Sequence, residues 1–424
     1  MASFTAPDVP SSSPSPPELP HPLNSPIYIT PTLSLPYPIL AVAPMVGQCD
    51  PAFRLLTERY SANLIYTEMY LAKEFVADEV YRSDALGTTP PFTTAPILVQ
   101  FAANDPASFA KACLLTRELG YWGADLNLGC PQLRAKEGHY GSYLQEDVDL
   151  CCEILKAGVA SAGADGHFAV TVKIRMQSTI EKTILYATRL KDAGAVLICL
   201  HGRQRGSVNA RRDGSADMEG IAAVVAALAP FPVVSNGNVR APEDCVENLK
   251  YTGACGVAVA EEILRNPGVF DDVRTLLDGR PVEHEKTVRW RRLLLLTEYL
   301  DICKELETCG VPRDDFSEWP KGGKHGGGGG MVRAATRTAG AGKMRYSNWW
   351  SHAEVVKQHT RRILDVVGHK DLCQRSTFRK MRWLAELDKF IRRRLRLPGQ
   401  EEEKEEIVDV FEDGDESLFN ILEP

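Results

Sequence analysis

No apolar run in the 424 residues approaches the roughly 20 positions that a membrane-spanning helix needs, which removes an integral helical membrane protein from consideration. CxxC pairs are missing as well. The 11 cysteines are odd in number and irregularly spaced, and Cys151 and Cys152 are adjacent on a helical stretch where they point to different faces, so the pair reads as core and no metal site is expected. No positively charged start leads into an apolar segment, and the first residues lack the Arg-rich amphipathic pattern of an organelle signal. These absences predict free thiols in a reducing compartment, the cytoplasm by default with the nucleus as the other choice. A general excess of basic charge is also lacking. At a net charge of −7, the surface as a whole does not suit a polyanion, so any such surface must be local.

What is present is enough apolar residue, 44%, to build the cores of two or three domains. Residues 1–38 are rich in Pro and Ser, as in VPSSSPSPPELPHP, and are predicted to form a disordered leader. From Ile39 the texture changes to short apolar runs alternating with amphipathic stretches. The runs are ILAVAPM at 39, NLIYTEM at 63, PILVQFA at 96, WGADLNL at 122, FAVTVKI at 168, VLICLHG at 196, PVVSNGN at 232 and CGVAVA at 255. Helical windows such as PASFAKACLLTREL and TIEKTILYATRLKDAG lie between them, the second ending on a glycine where a C-terminal cap belongs. Eight such units over residues 39–283 predict a (β/α)8 TIM barrel, with an open doubly wound sheet as the alternative.

After the barrel, residues 284–397 read as a helical domain with a Gly-rich insertion at about 311–345 that no helix or strand would tolerate. Between Lys286 and Arg396 there are 25 Lys and Arg against 12 Asp and Glu, an excess of +13 that suits a nucleic-acid surface. Residues 398–424 form an acidic tail, predicted to be disordered.

In a barrel the loops after the strands build the site. The residues found there are Pro44 and Met45, Glu68 and Met69, Gln100, Asn127 and Cys130, Lys173 and Arg175, His201 and Arg203, and Asn236 with Gly237 and Asn238. Cys130 lies between the turn formers Gly129 and Pro131, which directs it to a cleft rather than to a core. Phosphate would dock after strands seven and eight, on Asn236-Gly237-Asn238 and Ala260-Glu261-Glu262. A flat, electron-accepting cofactor over the barrel mouth would take hydrogen bonds from Gln100 and a cation, Lys173, near the edge that becomes negative on reduction, with His201 beside it.

The set APMVGQCDPAFR, YTEM, VQFAANDP, DLNLGCPQ, KEGHYGSYL, VKIR, HGR and SNGN resembles the tRNA-dihydrouridine synthases, and KEGHYGSYL with SNGNV is most similar to the eukaryotic branch acting at positions 16 and 17 of the D-loop. The resemblance spans the barrel and, more loosely, the helical region. It implies an enzyme that reduces the C5–C6 double bond of uridine in tRNA, using FMN with NADPH or NADH as reductant, and acting as a monomer. It further implies Cys130 as the acid that protonates C5. Pro44, Met45, Gln100, Lys173 and His201 would line FMN, and Asn236, Gly237, Asn238, Ala260 and Glu261 would lie near its phosphate. Asn127, Lys136, Arg175 and Arg203 would meet the substrate. Two positions depart from the family pattern: Glu262 stands where a glycine is usual, and Met218 where a tryptophan is usual. A Glu262 facing the phosphate would weaken cofactor binding, whereas one facing outward would leave it intact. Two alternatives to the synthase are a tRNA-binding protein without catalysis and a flavin oxidoreductase acting on a small pyrimidine.

Overall fold

A computed structural model of the chain describes residues 19–86, 93–206, 214–282, 285–308, 352–366 and 384–395. The first 18 residues, the Gly-rich insertion and the acidic tail lie outside the described residues.

Eight parallel strands close into a barrel: β3 (Ile39–Val42), β4 (Leu64–Leu71), β5 (Ile97–Ala102), β6 (Gly123–Leu128), β7 (Ala169–Met176), β8 (Ile198–Gln204), β9 (Val233–Asn236) and β10 (Gly256–Val259), with β10 pairing β3. All eight coincide with the apolar runs of the sequence. Strands covered on one side by helices and on the other by the barrel interior are buried on both faces, so they read as continuous apolar stretches rather than as alternating ones. The helices that follow start on sequence signals. Asp50 accepts from the Ala52 and Phe53 N–H groups ahead of Pro51–Arg59, and Asp105 does the same for Ala107 and Ser108 ahead of Pro106–Glu118. In both, a proline at the first turn supplies a preset φ. Helix Pro242–Thr252 ends on Gly253 in the left-handed conformation, φ 67°.

One expectation is corrected at the N-terminal side. Residues 19–38 are not a disordered leader: β1 (Pro26–Tyr28) and β2 (Ser34–Pro36) pair as an antiparallel hairpin. Ile27, Ile29, Leu35 and Tyr37 are buried and join a cluster with Ile39, Leu64, Leu98, Leu197 and Val234 from the barrel strands. The hairpin thus lies against the ends at which β3 and its neighbours begin. Its prolines sit at strand ends, where a missing N–H costs no ladder bond. Thr30 Oγ1 donates to the Gly166 carbonyl at 2.6 Å, which ties it to the loop before β7.

Beyond the barrel, helices Glu285–Thr308, His352–Val366 and Leu384–Leu395 pack on one another, and the first of them packs on Pro51–Arg59. Glu298 accepts from Arg59 and from the Tyr60 hydroxyl at 2.8 and 2.7 Å. A buried node fastens the two parts. The second carboxylate oxygen of Asp50 lies 3.2 Å from the Tyr299 hydroxyl and 3.0 Å from His359 Nε2, and the His359 ring stacks on Phe53 at 4.3 Å. Among the described residues no helix is long and apolar enough to cross a membrane, and no group of three His, Cys, Asp or Glu is placed to hold a metal.

Candidate active site

The in-register pairing of parallel strands gathers the polar residues of the barrel mouth. Gln100 of β5 stands beside Asp125 of β6, and Asn127 of β6 beside Lys173 of β7. Arg175 of β7 stands beside His201 of β8, and His201 beside Asn236 of β9. Above them opens a cavity of about 310 Å³, within the range of small-molecule sites.

Twelve of the sequence-predicted residues line this cavity: Pro44, Met45, Met69, Gln100, Asn127, Cys130, Lys173, Arg175, His201, Asn236, Ala260 and Glu261. Glu68, Gly237, Asn238, Lys136 and Arg203 do not. Asn238 spends its carboxamide on the loop after β8, accepting from the Ala216 N–H at 2.9 Å and donating to the Ala216 carbonyl at 3.0 Å. A Cβ on Gly237 would fall 2.7 Å from the Ala216 Cβ, so this glycine permits the loop to close over β9. Lys136 is exposed on helix Leu133–Glu137, and the arginine two positions earlier, Arg134, is the one that reaches the cavity. Residues two apart lie on different helix faces, which decides between them.

Cys130 is the one cysteine among the described residues that is not buried. Asn127 Oδ1 accepts from the Gly129 and Cys130 N–H groups at 3.0 and 2.9 Å, forming the turn predicted around Gly129 and Pro131. From the other side Arg175 Nε donates to the Gly129 carbonyl at 2.7 Å, and the Ser142 N–H and hydroxyl donate to the Cys130 carbonyl at 3.1 and 2.9 Å. Arg175 is therefore a clasp for the thiol turn as well as a cavity wall. Asn127 in turn donates from Nδ2 to Gln100 Oε1 at 2.7 Å, and Gln100 Nε2 donates to Asp125 at 2.8 Å, which leaves the second hydrogen on Nε2 for a ligand.

Charge in the cavity is mostly positive. Lys173 Nζ donates to Asn236 Oδ1 at 2.8 Å, and burial, reinforced by Arg175, lowers its pKa. His201 is held well below its usual pKa, first by burial and then by Lys173, Arg175 and Arg203, so it is neutral at pH 7. Its Nε2 lies 3.1 Å from Arg203 Nη1. A guanidinium can only donate, so Nε2 accepts and Nδ1 carries the proton. Arg134 and Arg362 add two guanidinium groups to the lining, and Glu261 is the only acid there among the described residues.

Glu262 does not line the cavity. It is 4% exposed and forms an ion pair at 3.5 Å with Arg292 of helix Glu285–Thr308, so it faces the junction with the helical region. Burial raises its pKa to about 7, against the pull of Arg292. Met218 opens helix Met218–Leu228, and its sulfur accepts from Asn248 at 3.3 Å.

Sequence reasoning missed Gln48, Arg134, Tyr140 and Arg362 as lining residues. Arg134 and Tyr140 lie inside a stretch already singled out, and their distance from Cys130 was the available signal. Arg362 gave none: it comes from helix His352–Val366, where Arg362 Nε donates to Gln48 Oε1 at 3.2 Å across 314 positions.

A closed (β/α)8 barrel with a cation-lined mouth, a held thiol and polar amides at successive strand ends defines a class: a TIM-barrel protein with a ligand-sized cavity at the C-terminal ends of its strands. The family model described as "Dihydrouridine synthase (Dus)" matches residues 41–308, and the chain belongs to that family. It is 41% identical over 268 residues to a mouse protein named "tRNA-dihydrouridine(16/17) synthase [NAD(P)(+)]-like", across 62% of this chain and 51% of that one. It is 36% identical over 272 residues to the "tRNA-dihydrouridine(16/17) synthase [NAD(P)(+)]" of Saccharomyces cerevisiae, across 64% and 61%. Identity to a mouse "tRNA-dihydrouridine(20a/20b) synthase [NAD(P)+]-like" is 32% over 228 residues, across 54% and 68%. The chain thus spans 51% to 61% of the length of the two 16/17 relatives.

Proposed function

We propose that this chain reduces uridine to 5,6-dihydrouridine in the D-loop of tRNA, at positions 16 and 17, with FMN as its bound cofactor and NADPH or NADH as the reductant. The observation that carries the reading is Cys130: a half-buried thiol fixed by five hydrogen bonds to its turn, facing a cavity whose other walls are cationic and amide groups.

The donor set suits FMN. Gln100 offers an N–H, Lys173 a cation, and His201 and Asn236 further polar contacts around one cavity, with Arg134 and Arg362 able to meet phosphate. When bound and reduced, FMN supplies the hydride that goes to C6 of the uracil ring. The protein's own work is the proton. A thiol with an ordinary pKa near 8.5 is mostly protonated at neutral pH, so Cys130 can give its proton to C5 as that carbon gains basicity. Asn127 holds the turn and orients the base or the flavin. Lys173 opposes the negative charge that builds on the cofactor ring. A stacked uridine cannot enter the cavity, so the base must flip out of the tRNA. The basic helical region would then hold the backbone, and Arg362 would reach from that region to the cavity.

The test is dihydrouridine formation on unmodified tRNA by the purified protein with FMN and NADPH, beside Cys130→Ala. Product from wild type and a rate about 10²- to 10⁴-fold lower from the variant support the reading. A wild type that binds tRNA but neither retains FMN nor forms product would move the chain to RNA binding without catalysis. Reduction of free uracil or uridine in preference to tRNA would instead make it a small-molecule oxidoreductase.

A further inference from the structure

The hydrogen-bond chain that ends on the Cys130 turn begins inside the barrel, at a carboxylate that touches neither the cavity nor the thiol. Asp125 is fully buried on β6. Its Oδ1 accepts from the Thr171 hydroxyl at 2.7 Å, and its Oδ2 accepts from Gln100 Nε2 at 2.8 Å. Gln100 Oε1 then accepts from Asn127 Nδ2 at 2.7 Å, and Asn127 Oδ1 accepts from the Gly129 and Cys130 N–H groups. Both amides could fill the same space with oxygen and nitrogen exchanged. An ionised carboxylate, however, accepts and cannot donate, so Gln100 must turn its nitrogen toward Asp125. That choice forces the sense of every later bond. If Gln100 were reversed, its nitrogen would face Asn127, Asn127 would answer with its oxygen, and its nitrogen would then confront two backbone donors.

We propose that Asp125 is a positioning residue: through Gln100 and Asn127 it sets the sense of the hydrogen bonds that hold the turn presenting Cys130. The proposal deepens the reading of Cys130 as proton donor and rests on it. The surroundings of Asp125 support a charge-dependent role. Lys173 acts on it from β7 and favours its charged form, while Tyr66 from β4 and Cys199 from β8 interact with it and keep their protons through the neutral range. Burial lifts the Asp125 pKa to about 6. Below that pH the carboxyl gains a hydrogen, either sense of Gln100 becomes acceptable, and the turn loses its preference.

Amide hydrogen exchange at Gly129 and Cys130 tests this in the full-length protein without cofactor or tRNA. Asp125→Asn is expected to exchange both amides about tenfold faster than wild type, the effect of losing one preferred hydrogen-bond arrangement. Thr171→Val removes the other bond to the same carboxylate but leaves Gln100 pinned, so its exchange at the two amides should match wild type. In parallel, Asp125→Asn should slow single-turnover uridine reduction about tenfold. Wild type alone provides a further readout if the variant does not fold. Protection of the two amides, corrected for intrinsic exchange, should fall as pH drops from 8 to 5 through about 6. Unchanged protection in Asp125→Asn, equal loosening by Thr171→Val, or constant protection in wild type across that range each overturns the proposal. Exchange is read without the reaction, so a wild type that forms no dihydrouridine refutes the assigned reaction and leaves the Asp125 role to be decided by the exchange result.

Discussion

Gly141 has φ +63°, and a methyl group on it would lie 2.8 Å from the Cys130 carbonyl oxygen and 3.0 Å from the Cys130 Cβ. Both the backbone conformation and the space demand glycine. Gly141→Ala is expected to cost about 1–2 kcal/mol of stability through strain and to push the thiol turn out of place. Dihydrouridine formation should fall more than the melting temperature suggests, and parallel denaturation and activity assays check this. After β10, Glu262 holds its proton more tightly in the folded protein than in the unfolded chain, with a pKa raised to about 7. Ionising it as pH climbs from the ordinary glutamate range through about 7 therefore weakens folding. The drop in melting temperature between pH 5 and pH 8 should be smaller in Glu262→Gln than in wild type. At this scale the sequence placed Cys130, Lys173 and His201 at the barrel mouth, because strand ends can be read from apolar runs. It did not reveal that Gln100 and Asn127 are linked to Asp125, or that Asn238 bonds to the loop after β8, since side-chain direction within a turn depends on partners far along the chain.

The hairpin of β1 and β2 shows what an element contributes when its composition argues against order. Leu35 is 3% exposed within the cluster that closes the barrel's interior, so Leu35→Ala should cost about 2–5 kcal/mol in chemical denaturation. Tyr37 is fully buried and its hydroxyl has no hydrogen-bond partner among the described residues, so Tyr37→Phe should be neutral or slightly stabilising in the same experiment. The prolines and serines that suggest disorder dominate the count, while the four residues that supply the burial, Ile27, Ile29, Leu35 and Tyr37, are spread over 11 positions. The barrel strands were legible for the opposite reason: each is a dense apolar run whose neighbours are fixed by a parallel register. Where helix Pro51–Arg59 meets the helical region, Asp50→Ala removes an N-cap and leaves His359 Nε2 and the Tyr299 hydroxyl without their acceptor. A loss of about 2–4 kcal/mol is expected from the cap and the stranded groups together, measurable by urea titration.

At the scale of the whole molecule, a net charge of −7 coexists with a helical region carrying an excess of +13, so tRNA affinity should fall steeply with salt, by about 10³-fold or more between 50 and 200 mM if at least six phosphates are neutralised. A titration at several salt concentrations gives that slope directly, and a flat response would contradict RNA binding by this region. The charge excess was visible in the sequence, but the site's second author among the elements was not: contact between positions 48 and 362 leaves no periodic or local signal. The family match ends at residue 308, yet Arg362 belongs to the cavity wall. Transplanting residues 41–308 onto a relative's helices would therefore exchange one wall of the cavity along with the helices. A chimera meant to retain this cavity must carry the segment around Gln48 and the helix His352–Val366 as a matched pair.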